Sequence, residues 1–311
     1  MNKISVLGAN PAFQKTLFFP EFRYGEVNRA VEMQIFPAGK GINFCRAANL
    51  WGKTVNELIQ FTGGSNGDFV REKLAEEQML CINIPTAGNT RCCTTCLDQK
   101  NQIMTEVIEP STAATIQEVN SMLEAFEKSC ISSAGAAICG SLPDGTDYKL
   151  YESAAEIAHK NGAILLFDAW KSLDKCLNEG RNILKINKEE LFKLTSLNDV
   201  KSALRMLFGK FKLEFAAITD GADAAFASDG ENFFTYSVPR VDKVINPIGC
   251  GDTASAVWLS EIISGTEYSE AFRYALGSAS ANCLTALPGN FVPERASALA
   301  AEVSIRRSPL V

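Results

Sequence analysis

Short apolar runs alternate with amphipathic stretches along the whole chain, and no linker, repeat or low-complexity segment interrupts them. Lys3–Leu7 reads as a strand. Gly41–Trp51 reads as a helix that Gly52 ends, because glycine accepts the left-handed position after a helix. Val55–Phe61 is a mixed strand, Asp68–Gln78 a charged helix, Ala136–Cys139 a buried strand, and Tyr148–Lys160 a helix stopped by Asn161-Gly162. Ala163–Asp168 is a continuous apolar run, as expected of a strand covered on both faces. Ile183–Ile186 followed by a helix over Lys188–Leu194 repeats the theme, Phe215–Thr219 adds a strand, and three helices follow Asp252. This alternation predicts an α/β protein with a mostly parallel central sheet and helices on both faces.

Two segments break the pattern. Phe13–Phe36 is rich in β-formers and turn residues and too long for an ordinary βα loop. Thr90–Ile108 is a second β-rich stretch, with Asp98–Asn101 as a hairpin tip. Segments of about 13–36 and 90–108 are therefore expected to form a small β lid on a single domain spanning 1–311, either closing over a ligand or serving as ordinary edge strands.

Composition narrows the chemistry. The chain has 311 residues, a net charge of −6, ten cysteines and one histidine. Nucleic-acid binders are basic, so a nucleic-acid partner is not expected. No apolar run is long enough for a membrane span, and the N-terminal apolar patch is too short for a signal peptide, so a cytoplasmic protein with reduced cysteines is expected. Cys92, Cys93 and Cys96 cluster, but no second ligand pair follows at metal spacing, and they read as small apolar residues of a strand. His159 reads as a surface residue at the C-terminal end of its helix, and Arg306-Arg307 as a solvated tail.

The most informative string is Asn246-Pro-Ile-Gly-Cys-Gly-Asp-Thr-Ala-Ser-Ala256, which follows a β-like run over Val241–Ile245 and opens an apolar helix. Gly249 and Gly251 permit a tight turn, and successive N–H groups at a helix N-terminus form an anion site. Asp252 lies in the first helical turn. It reads either as a helix cap or as a carboxylate base beside an anion hole, a pairing that suits phosphoryl transfer. The string also fits a dinucleotide fingerprint loosely, and the chain has no P-loop.

With Gly249-Cys250-Gly251-Asp252 the sequence resembles the ribokinase-like (PfkB) sugar kinases, whose signature is G-A-G-D. Ala38-Gly39-Lys40-Gly41-Ile42-Asn43 resembles their G-G-K-G-x-N string. Asn10-Pro11-Ala12, Gly25-Glu-Val-Asn28-Arg29, Thr90-Arg91 and Gly140-Ser141-Leu142-Pro143 are closest to the 1-phosphofructokinase and tagatose-6-phosphate kinase branch. Lys185-Ile186-Asn187-Lys188-Glu189-Glu190 resembles K-P-N-x-x-E, Thr219-Asp220-Gly221 resembles a nucleotide loop with Asp in place of Leu, and Glu270–Asn282 resembles the helix beside adenine. The matches run in consistent order from Asn10 to Gly289.

The resemblance implies a ribokinase-like three-layer sandwich with a β lid. It implies an ATP- and Mg²⁺-dependent kinase for a phosphorylated hexose of the fructose-1-phosphate or tagatose-6-phosphate kind, and leaves a monovalent-cation requirement open. Asp252 is then the general base, with Gly249, Cys250 and Gly251 forming the anion hole. Arg29, Arg91 and Lys40 hold the substrate phosphate, and Gly39, Asn43 and Ser141 meet the sugar. Lys185, Asn187, Glu190, Thr219, Gly221 and Asn282 serve ATP, with Asn187 and Glu190 ordering Mg²⁺ largely through waters. Pairing through the lid implies a homodimer. The family's sugar-binding Asp is replaced by Gln14, an uncharged side chain. A kinase for an unphosphorylated sugar or nucleoside, and a non-catalytic binding relative, are the alternative readings.

Overall fold

The alternating runs resolve into fourteen strands and ten helices in a computed structural model that describes Met1–Val311. In chain order, β1 (Asn2–Leu7), β2 (Ala12–Phe19) and β3 (Glu32–Ala38) precede α1 (Lys40–Trp51), β4 (Thr54–Thr62), α2 (Gly64–Glu76) and β5 (Leu80–Pro85). The hairpin β6 (Cys92–Asp98) and β7 (Ile103–Ile108) leads to α3 (Ile116–Cys130), β8 (Gly135–Cys139), α4 (Lys149–Lys160) and β9 (Ile164–Asp168). Then come α5 (Leu173–Cys176), β10 (Arg181–Asn187), α6 (Lys188–Thr195), α7 (Val200–Lys210) and β11 (Phe215–Asp220). The chain closes with β12 (Ala224–Ser228), β13 (Asn232–Tyr236), α8 (Cys250–Ile263), α9 (Tyr268–Asn282), α10 (Pro293–Glu302) and β14 (Ile305–Pro309).

Ten strands form one sheet in the order β14-β13-β12-β11-β10-β9-β8-β1-β4-β5, parallel from β11 to β5 and antiparallel beyond β11. Successive residues of its central strands feed opposite layers, as the two-residue period of a strand requires. Ile4, Val6, Ala137, Leu166 and Ala217 pack under α1, α8, α9 and α10, whereas Leu7, Ile138, Leu165, Phe167 and Ile218 pack under α3, α4 and α7. The result is an α/β sandwich of three layers. No helix is long and apolar enough to cross a membrane.

A second sheet, β3-β2-β6-β7, stands outside the first and is built from the two β-rich segments. Its edge strand β7 exposes all six residues. Cys92, Cys93 and Cys96 are buried on β6.

Several expectations are corrected. Val241–Ile245 forms no strand; it is coil, tethered where Ile245 N–H donates to the Cys283 carbonyl (2.7 Å). Arg306 and Arg307 are not a loose tail but lie on β14, paired with Thr235 and Phe234 at the sheet's edge. His159 is half-buried and hydrogen-bonds Asn182 through Nε2 (2.8 Å), so its helix ends against the sheet rather than in solvent.

Chain direction decides where a cleft opens. From β1 the chain moves outward to β4 and β5, then returns to the other side of β1 through β8, β9, β10 and β11. The carboxyl ends of β1 and β8 therefore diverge at a topological switch point, where α/β sheets hold ligands.

Candidate active site

A cavity of about 370 Å³ opens at that switch point, lined by Gly8 and Asn10 after β1, Gly140 and Ser141 after β8, and Ala169, Trp170 and Lys171 after β9. Lys40, Arg91 and Glu190 complete its polar wall. The N-terminus of α1 reaches it because two glycines touch: a Cβ on Gly41 would lie 2.7 Å from the Gly8 Cα. No larger residue fits at either position without moving the helix off the strand.

Asp252 sits behind this cavity on the first turn of α8, only 8% exposed. Gly249 makes the turn possible by taking φ +81°, and a Cβ there would also meet Pro288 at 2.7 Å. The first intrahelical bond runs from Thr253 N–H to the Gly249 carbonyl (2.8 Å), so the N–H groups of Cys250, Gly251 and Asp252 precede the helix ladder. Asn43 Nδ2 donates to Asp252 Oδ2 (2.8 Å). Burial pushes the Asp252 carboxyl above its ordinary pKa and Asp168 adds to this, while Lys40, the Asn43 hydrogen bond and Lys185 partly offset it.

Asp168, at the carboxyl end of β9, is the hub of the site. It accepts from Lys40 Nζ (2.9 Å), Lys185 Nζ (3.3 Å) and Ser255 Oγ (2.6 Å). Burial alone would raise its pKa, but Lys185, Lys40 and the two hydrogen bonds hold it well below the usual carboxylate range. Burial likewise opposes the Lys40 charge, and Asp168 and Asp252 more than restore it. Two carboxylates thus face two ammonium groups, and Lys185 is 4% exposed. Sequence reasoning missed Asp168. The signal was present, since an Asp that ends a buried parallel strand lies at the ligand edge of the sheet.

Two buried polar atoms in this region have no protein partner: Asn43 Oδ1, an acceptor, and Arg91 Nε, a donor. Another Arg91 nitrogen donates to the Asn10 carbonyl (3.2 Å), which holds the guanidinium at the cavity wall. Buried groups are normally paired; Arg91 lines the cavity, so its unpaired N–H fits a ligand carrying an anion, whereas Asn43 does not line the cavity and is bonded to Asp252.

Other expected residues fall in different places. Gln14 is buried in the lid, and its Nε2 donates to Thr95 Oγ1 (2.8 Å) and the Lys15 carbonyl (3.1 Å). Arg29 is exposed between β2 and β3, and does not line the cavity. Gly39 caps α1 with φ +125°. Asn187 and Glu190 form a reciprocal capping box on α6, using Asn187 Oδ1 and Glu190 Oε2 (2.8 and 2.9 Å). Glu190 lines the cavity as well.

A second cavity, of about 490 Å³, lies on the far side of Gly251. Thr219, Gly221, Val238, Val241, Leu276 and Ala279 give it largely apolar walls, with Cys250 and Gly251 at its inner end. Lys185 stands between the cavities, because a Cβ on Gly251 would lie 2.9 Å from its Nζ. Asp220, between Thr219 and Gly221, is paired with Lys188 (2.6 Å) and does not line the cavity. Asn282 does not line this cavity. Its side chain donates to the Ile248 carbonyl (2.9 Å) and accepts from Thr253 Oγ1 (3.2 Å) and Gly289 N–H (2.7 Å). It ties the turn before α8 to the segment that follows α9. Arg46, 6% exposed, braces the same region by pairing with Glu77 and donating to the Pro288 and Pro37 carbonyls (2.8 and 3.2 Å).

Comparison with solved structures finds the same architecture elsewhere. Phosphofructokinase-2 from Escherichia coli in complex with potassium is 21% identical, covers 97% of this chain and 99% of its own, and superposes with a TM-score of 0.85. The same enzyme in complex with fructose-6-phosphate gives 21% identity, the same coverage and 0.84. A Thermotoga maritima protein described as a possible 1-phosphofructokinase gives 18% identity, 98% and 99% coverage, and 0.88. The pfkB family carbohydrate kinase profile matches residues 1–295. The chain therefore belongs to the pfkB family of carbohydrate kinases, phosphotransferases that act on a sugar hydroxyl.

Proposed function

We propose that this enzyme transfers the γ-phosphoryl group of ATP to a hydroxyl of a phosphorylated hexose, of the fructose-1-phosphate or tagatose-6-phosphate kind, with Asp252 as general base. The observation that supports the reading is Arg91 at the wall of the cavity with its Nε unpartnered, beside a buried Asp252 that Asn43 holds. Asn43 bonds the Asp252 carboxylate through its amide nitrogen. Arg91 leaves a guanidinium N–H for a phosphate, for which a forked cation is suited.

In this reading Asp252 takes the proton of the attacking hydroxyl, and its raised pKa brings its basicity closer to what that transfer needs. The N–H groups of Cys250 and Gly251, following Gly249, stabilise the transferring phosphoryl group. Lys185 and Lys40, oriented by Asp168, add positive charge between the two cavities. Ser141 stands at the sugar cavity, and the apolar cavity beyond Gly251 takes the nucleotide between Thr219, Gly221 and Leu276. Glu190 fits a largely hydrated Mg²⁺: one carboxylate oxygen is committed to the α6 cap and the other remains for a water shell, with Asn187 beside it. When bound, that ion would neutralise phosphate charge.

Gln14 commits its Nε2 to Thr95 and the Lys15 carbonyl, which leaves only the uncharged Oε1 as an acceptor where the family has a carboxylate. Arg29 reaches a phosphate only if the lid closes or a second copy supplies it. Exposed Val31, Met33, Ile35, Ile103, Met104 and Val107 on the lid support a homodimer through that sheet.

An ADP-release assay across sugar phosphates, free sugars and nucleosides, with Asp252→Asn as blank, tests the proposal. Turnover confined to phosphorylated hexoses is the expected result. Equal or better turnover of free sugars or nucleosides would overturn the substrate class.

A further inference from the structure

Ten cysteines leave one close pair. Cys250 opens α8 in the anion-hole turn, and Cys283 ends α9, thirty-three residues later. Their sulfurs are 3.1 Å apart. Seven of the other eight cysteines are buried, whereas both members of this pair are partly exposed and line the nucleotide-side cavity, where a small oxidant can reach them. The two chain segments are already joined: Ile245 N–H donates to the Cys283 carbonyl (2.7 Å), and Asn282 Nδ2 donates to Cys250 Sγ (3.2 Å).

We propose that Cys250 and Cys283 are a modification site, an oxidisable dithiol at which a hydroperoxide closes a disulfide between the anion-hole turn and α9 and slows phosphoryl transfer. The hydrogen bond from Cys250 lowers the Cys283 pKa, and the same bond raises that of Cys250, so Cys283 is the attacking thiolate. Its sulfur attacks one peroxide oxygen. An S–O bond forms as O–O breaks, the sulfur is oxidised to a sulfenic acid, and the peroxide is reduced to hydroxide, which takes a proton. Cys250 then loses its proton and attacks the sulfenic sulfur. The S–S bond forms, S–O breaks, and the leaving hydroxide departs as water with that proton. A dithiol reductant reverses the change by exchange.

The consequence follows from distance. A disulfide is about 2.05 Å long, so closure from 3.1 Å draws the sulfurs together by about 1 Å. Cys250 carries one of the N–H groups assigned to the phosphoryl group, and a misplacement of about 1 Å can cost on the order of 10²-fold in rate. This rate effect rests on the kinase reading above; the disulfide itself does not.

The test treats the whole protein with hydrogen peroxide, blocks remaining thiols and maps linked peptides. A Cys250–Cys283 peptide should appear, with loss of two hydrogens in the intact mass. Turnover should fall by about tenfold to a hundredfold and return with dithiothreitol. Cys283→Ser and Cys250→Ser, each compared with itself before treatment, should lose the reversible response. Peroxide treatment that leaves both thiols free in the unmodified sequence would overturn the site, whatever the variants do. A linked peptide with unchanged turnover would overturn the inhibition. If no acceptor supports turnover, ADP-induced thermal stabilisation before and after oxidation reads the same turn, and an unchanged shift would overturn the coupling.

Discussion

Replacing Asp168 by Asn removes one of the two buried carboxylates that balance Lys40 and Lys185. The side chain keeps its shape and its bond to Ser255. Lys185, 4% exposed, is left without a full counter-charge. Breaking a buried ion pair from one side costs about 3 kcal/mol or more. The Lys40 side chain is 37% exposed, so its share is nearer that of a surface pair, about 0–1 kcal/mol. A loss of roughly 3 kcal/mol lowers Tm by about 5 °C in a chain of this size. Asp168 has a depressed pKa in the fold, so its stabilisation is present above the unfolded value of about 3.9 and is lost as pH falls through the folded one. The acid side of the stability curve should therefore flatten in Asp168→Asn. Asp168 also raises the Asp252 pKa, so the acid limb of kcat/KM should move to lower pH as stability falls. Thermal melts from pH 8 down to about pH 2, which enter the window below the unfolded pKa, and a pH–rate profile check both. A variant that melts with the parent and keeps its acid limb would refute the hub.

Arg91→Ala should raise KM for a phosphorylated acceptor about ten- to a hundredfold with little change in kcat, as for one lost charged hydrogen bond. Initial rates for matched phosphorylated and free sugars separate this from general damage. Asn43→Ala removes a bond that lowers the Asp252 pKa, so the acid limb of kcat/KM should move to higher pH. Gly249→Ala meets both a strained φ and a clash with Pro288, and kcat should fall by about 10² or more at unchanged acceptor KM.

The layers of the fold were legible because the central strands are apolar on both faces, most helices are apolar on one, and α8 is apolar enough to be buried all round. The site was legible only where side-chain type is specific. Gly249–Asp252 could be read because a glycine turn before a helix has few uses. Asp168 was not, because a single Asp closing AILLFD also reads as the end of a strand, and its partners Lys40, Lys185 and Ser255 come from three other segments. Asn282 was implied as a nucleotide contact only by the resemblance of Glu270–Asn282 to a family helix, and three-dimensional packing shows it bonded to the turn before α8. The strand β14 was hidden because Ile305–Pro309 carries two arginines and a proline, which suit an exposed edge as well as a tail.

The most direct test concerns Asp252. Its pKa is raised in the fold, so at neutral pH its charge opposes folding, and a neutral amide relieves that cost. Asp252→Asn should therefore melt at or above the parent temperature at pH 7 and still be stabilised by ATP, while ADP release with the preferred acceptor falls by at least about 10². Near-parental turnover in that folded, nucleotide-binding variant would contradict the role of Asp252 as the base.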